Sequence, residues 1–134
     1  MRIRTTLAAF ASAGLLAGAL TGLTATPASA DSGMSWKTYT YSNGDVRIVA
    51  KARGKVHGYV EWNADGDKLC ASDQFSNSEG IRGELSTGRT ATSKSPGHDS
   101  CKGGNLPEGT AYTMRACIVG PLGSDCSSRV RIRA

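Results

Sequence analysis

Beyond residue 30, no stretch of twelve residues keeps apolar side chains at helical spacing, and this constrains the fold more than any other feature. Fourteen of the seventeen glycines fall in this part and cut it into short runs. Within those runs apolar and polar residues alternate, as they do in half-buried strands. Residues 36–41 form the first such run, with Tyr39 and Tyr41 on one face and Trp36 on the other. Asn43-Gly44 then supplies a hairpin turn, because both residues accept positive φ at low cost. In 46–52, Val46, Ile48, Ala50 and Ala52 face inward, while Arg47 and Lys51 face water. In 56–62, Val56, Gly58, Val60 and Trp62 share the inner face; His57, Tyr59 and Glu61 share the outer one.

The middle of the chain is more polar. Ala64-Asp65-Gly66-Asp67 reads as a turn and 68–71 as a short strand carrying Cys70. Residues 72–80 read as a loop anchored by Phe75, 81–85 as a strand, and 87–95 as an edge strand. Residues 95–98 turn, and 101–109 form a loop. Two stronger strands close the chain at 110–119 and 126–133, joined by Gly120-Pro121-Leu122-Gly123. Seven or eight short strands at this spacing predict an all-β fold, a small antiparallel β-sandwich.

Residues 1–30 read as a cleaved secretory signal peptide. Arg2 and Arg4 make a basic start, 7–20 is apolar, Pro27 breaks the helix, and Ala28-Ser29-Ala30 is a small-residue cleavage site. The apolar stretch is too short to span a bilayer comfortably. The expected mature product is one domain, 31–134, secreted, extracellular and monomeric, with no membrane attachment after cleavage. Losing the two leader arginines lowers the net charge from +5 to +3. That mild, sign-mixed charge argues against a nucleic-acid partner.

Cys70, Cys101, Cys117 and Cys126 all follow the leader. An even count in an exported chain implies two disulfides, which small domains need to supplement a modest core. Cys117–Cys126 across the last hairpin and Cys70–Cys101 around the middle loops is the favoured pairing. Parity opposes the first bridge, since Cys117 shares the outward face with Arg115 whereas Cys126 shares the inward face with Val130. A bulge near Pro121, shifting the register by one residue, would reconcile them. No close-set ligand spacing suggests zinc.

Glu108-Gly109-Thr110-Ala111-Tyr112-Thr113-Met114-Arg115-Ala116, then Gly123-Ser124 and Ser128-Arg129-Val130-Arg131-Ile132, resembles the last two strands of a fibronectin type III or related immunoglobulin-like domain. In that family a buried Tyr starts the penultimate strand. The resemblance covers about 25 residues, implies a sandwich with Trp62 in its core, and transfers no active site. The whole chain is also similar to small exported actinomycete proteins with two disulfides.

Several constellations are candidates for chemistry. His57, Tyr59 and Glu61 would form a surface row beside Arg47 or Lys55, the arrangement a small nuclease-like hydrolase would use. His98 lies in a turn. Asn63, Asp65, Asp67 and Asp73 suggest calcium, but the sixth and twelfth positions of an EF-hand loop would be Lys68 and Gln74, so that motif fails. Arg129, Arg131 and Arg133, with Arg47, Lys51, Arg53 and Lys55, would make a basic face if their strands were adjacent. Trp36, Tyr39, Tyr41 and Tyr59 would make a sugar-stacking platform. No nucleophile or phosphate-loop motif is present, so no catalytic residue, metal or cofactor is expected.

The expectation is a secreted, non-enzymatic binding domain for a protein or polysaccharide, acting as an inhibitor or surface-directed effector. The expected binding surface comprises Arg129, Arg131, Arg133, Tyr39 and Tyr41. A small secreted hydrolase and a structural cell-envelope protein are the alternatives.

Overall fold

A computed structural model describes residues 33–134; the leader reading of 1–30 lies outside the described residues. The described chain is all β, with ten strands in two antiparallel sheets. In chain order these are β1 (Met34–Thr40), β2 (Val46–Ala52), β3 (Lys55–Asn63), β4 (Lys68–Asp73), β5 (Gly80–Leu85), β6 (Thr90–Ser93), β7 (Asp99–Lys102), β8 (Ala111–Gly120), β9 (Gly123–Cys126) and β10 (Val130–Arg133).

The first sheet runs β1-β2-β3-β4-β7. The second runs β10-β8-β5-β6, with β9 also on β8. An immunoglobulin constant-type sandwich places its third strand in the sheet opposite the second. Here four consecutive strands meander through one sheet before the chain crosses.

The alternation that identifies the strands also builds the core. Val46, Ile48, Ala50, Val60, Trp62, Leu69 and Ala71 come from the first sheet. Ile81, Leu85, Ala91, Met114, Ala116, Ile118 and Ile132 meet them from the second. Two glycines leave no room for a Cβ against the opposite sheet. A Cβ on Gly58 would lie 2.3 Å from the Ser72 carbonyl oxygen and 2.4 Å from Ile81 Cγ1. A Cβ on Gly83 would lie 2.6 Å from Val60 Cγ1. Trp62 is fully buried, and its indole N–H donates to the Arg133 carbonyl at 2.8 Å, tying the first sheet to the last strand of the second.

Both disulfides join residues directly opposite each other on neighbouring strands: Cys70–Cys101 across β4 and β7, and Cys117–Cys126 across β8 and β9, each with Cα atoms 4.0 Å apart. The pairing expected from the sequence is therefore present. The parity conflict is resolved by a bulge, located after Cys126 and not at the Pro121 turn. Cys126 pairs with Cys117, yet Val130 pairs with Met114, so one extra residue is accommodated between β9 and β10. Buried Ser127 fills the irregularity. Its amide donates to the Ala116 carbonyl, and its hydroxyl accepts from the Ala116 amide.

Two further elements depart from the sequence reading. The 101–109 loop begins inside a short edge strand, β7, which is held by its cysteine despite weak apolar content. The register between β2 and β3 also shifts between Ala50 and Lys51. Ala50 opposes Gly58, but Lys51 opposes Val56, so His57 is the extra residue. Val56, expected inside, therefore joins the outer face and is 42% exposed.

Candidate functional site

The outer face of the first sheet gathers most of the aromatic and basic residues singled out above. Register fixes its layout. Arg47, Val49 and Lys51 follow one another outward along β2. On the β1 side Tyr39 opposes Arg47 and Lys37 opposes Val49; on the β3 side Glu61, Tyr59 and Val56 oppose Arg47, Val49 and Lys51. The result is a shallow trough with β2 as its floor. Its wall strands stand roughly 5 Å to either side of that floor, the normal interstrand spacing. Tyr41, 44% exposed, stands at the Arg47 end.

That end is braced by the β1–β2 turn. The Tyr41 amide donates to the Asp45 carbonyl at 2.9 Å, and Gly44 adopts φ +90° as the sequence predicts. The Asp45 carboxylate accepts from the Asn43 side chain and from the Ala64 amide, both at 2.9 Å.

Arg47 organises this end of the trough. Its guanidinium hydrogen-bonds and ion-pairs with Glu61, and it lies over the Tyr59 ring 4.5 Å from the centroid. Burial works against the charge of Arg47, but the hydrogen bond and field of Glu61 outweigh it and hold the pKa above its ordinary value. On the other wall, the Lys37 ammonium sits over Tyr39 at 5.0 Å.

The five residues expected to form one binding surface do not converge. Tyr39 and Tyr41 belong to this trough. Arg131 and Arg133 are exposed on β10, in the opposite sheet, and Arg129 is exposed in the bulge before it. The physical reason is topological: β10 pairs with β8, so its outward residues point away from the first sheet. The wider basic face is split in the same way. Trp36 leaves the aromatic group as well, packing half-buried against the core.

The His57–Tyr59–Glu61 row is also broken. The bulge diverts His57, whose ring stacks on Phe75 with centroids 4.4 Å apart. His57 and Glu61 line different depressions, the former with Phe75 and Glu79, the latter with Arg47 and Tyr41.

The calcium constellation is dispersed. Asp67 is buried and accepts from the Leu106 amide at 2.6 Å, while Asp73 caps its own turn through the Phe75 amide at 3.0 Å. Among the described residues, no group of three or more His, Cys, Asp or Glu side chains could hold a metal ion.

Two features lay beyond sequence reasoning. Val56 joins the trough only through the bulge. Leu122 protrudes fully exposed from the tip of the β8–β9 hairpin, whose strands are clasped by Cys117–Cys126. The opposite sheet carries its own polar cluster. Glu84 accepts from Arg82 at 2.8 Å and from Arg115 at 2.7 Å. Burial raises the Glu84 pKa, but the two arginines, Arg115 foremost, bring it below its ordinary value.

Compared with models of known families, with curated proteins and with solved structures, the chain finds no match.

Proposed function

We propose that the chain is a secreted, extracellular, non-enzymatic binding domain whose recognition surface is the trough along β2. The observation that carries this reading is the gathering of Tyr39, Tyr41, Tyr59, Val49 and Val56 around Arg47 on an outer sheet face. Such a face supplies apolar area, hydroxyls and oriented cations with little side-chain entropy left to lose on binding, the features of a recognition surface. The two disulfides suit an oxidising compartment, and no helix among the described residues is long and apolar enough to cross a membrane. Separation of His57 from Glu61 weighs against the hydrolase alternative, which needs them in one cleft.

The test is retention of the purified protein on cell-wall, polysaccharide and protein fractions, comparing wild type with Tyr41→Ala/Tyr59→Ala. The reading expects the double variant to fold and to be retained about tenfold less, a loss of about 1.4 kcal/mol. Unchanged retention of a folded double variant would refute it.

A second reading, a protein-directed inhibitor, is favoured by Leu122. A fully exposed apolar side chain on a disulfide-clasped hairpin is preorganised to enter an apolar pocket of a partner. Leu122→Asp would then abolish capture of a protein target while leaving the trough intact.

A further inference from the structure

The character of the trough specifies its ligand more narrowly than a generic binding face does. Two of its aromatic rings are already engaged. Arg47 lies over one face of Tyr59, and Lys37 over one face of Tyr39. A neutral sugar stacking on those faces would have to displace a cation held by the ring quadrupole. Tyr41 carries no such cation among the described residues and remains open to a sugar ring.

The charge along the floor is unequal. At the Tyr41 end, Arg47 is neutralised by Glu61, and Asp45 lies close by. Toward the other end Lys51 faces outward beside Val56; exposed Arg53 and Lys55 beyond it line a neighbouring depression together with Glu79. None of the three ion pairs among the described residues involves Lys37, Lys51, Arg53 or Lys55. The trough therefore runs from a neutral, ring-bearing end to a cationic end, a span of about 13 Å between the α-carbons of Arg47 and Lys51 at strand rise.

Resting on the proposal that this face is the recognition surface, we infer that its ligand is a linear carboxylated polysaccharide lying along β2, with one sugar against Tyr41 and carboxylates at Lys37 and Lys51. The spacing of charge separates this class from nucleic acid. Duplex DNA presents a negative charge about every 1.7 Å of axis, and each strand one about every 3.4 Å. Along the trough Arg47, Lys37 (level with Val49) and Lys51 follow one another only about every 6.6 Å, and Arg47 is already paired. That interval suits a polymer carrying one carboxylate per sugar ring, as alginate does.

The experiment is titration calorimetry of the purified protein with alginate, with amylose as the neutral glycan and single-stranded DNA as the alternative polyanion. Wild type is compared with Lys37→Ala/Lys51→Ala and with Tyr41→Ala. Both lysines face outward, so the fold should be kept, and circular dichroism verifies it. The inference expects alginate to bind more tightly than amylose or DNA. It expects the lysine variant to lose about tenfold in alginate affinity and to show a shallower salt dependence. Tyr41→Ala should weaken alginate binding without changing that dependence. Amylose bound as tightly as alginate, with no effect of the lysines, would overturn the anionic assignment while leaving the recognition face standing. DNA bound more tightly than alginate would overturn the assignment too. If neither glycan binds, and cell-wall retention is indifferent to Tyr41 and Tyr59, the recognition face itself fails.

Discussion

The Arg47 guanidinium rests 4.5 Å from the centroid of the Tyr59 ring, on the neighbouring strand and diagonal to it in the ladder. Glu61, directly opposite Arg47, holds the same guanidinium from its edge. Three side chains thus share one arrangement on a half-exposed face. Replacing Tyr59 by Leu keeps apolar bulk but removes the quadrupole. Urea unfolding should show a loss of about 0.5–1 kcal/mol for this substitution, and a smaller loss when Arg47 is already Ala.

Glu84 gives the opposite sheet a pH signature. Its folded pKa lies below the unfolded value of about 4.3 because Arg115 and Arg82 favour the ionised form. Its contribution to stability is therefore complete above the unfolded value and fades as the pH falls through the folded one. Glu84→Gln should flatten the acid side of the stability–pH curve below about pH 4.3. Thermal unfolding across that range measures this directly, and an unchanged acid limb would show that the pair contributes nothing.

The two disulfides close loops of different length. Cys70–Cys101 spans 31 residues and Cys117–Cys126 spans 9. Chain-entropy arguments give losses of about 4 and about 3 kcal/mol on removing them. Replacing each pair by Ser should therefore cost more for Cys70–Cys101. That bridge also holds the short edge strand β7, so its loss should raise amide exchange at 99–102 well before global unfolding.

Gly58 and Gly83 sit where an added Cβ would collide with side chains of the opposite sheet. Gly58→Ala would place a methyl against the Ser72 carbonyl and the Ile81 side chain, at separations no packed core tolerates. Overpacking of this kind typically costs about 1–3 kcal/mol. Gly58 meets backbone, whereas Gly83 meets the Val60 and Leu69 side chains, which have more freedom to adjust. Denaturant midpoints should therefore fall further for Gly58→Ala than for Gly83→Ala.

The fold was legible where alternation is strict. β2, β5 and the β8–β10 ladder follow directly from Val46-Ile48-Ala50, from Ile81–Leu85, and from Met114-Ala116-Ile118 with Ile132. The cysteine pairing followed from adjacency, and the parity conflict at Cys126 signalled a real bulge, though Ser127 and not Pro121 holds it. What sequence could not supply was register and sheet membership. One extra residue at His57 turns Val56 outward and breaks the His57–Tyr59–Glu61 row, and its local mark is the glycine beside it, Gly58, inside a strand run. Arg131 and Tyr39 read as equally exposed and basic or aromatic, but pairing of β10 with β8 puts them on opposite sides of the molecule. Tyr39, Tyr41 and Tyr59 came together because consecutive strands meander through one sheet, the arrangement that local turns such as Asn43-Gly44 make readable.

Placement of the recognition surface on the outer face of the first sheet is tested most directly by amide chemical-shift mapping during titration with a retained ligand. The trough predicts perturbations confined to residues 37–41, 47–51 and 56–61, with β8, β9 and β10 unmoved. Perturbations centred on 121–123 or 129–133, with the β2 amides silent, would contradict it.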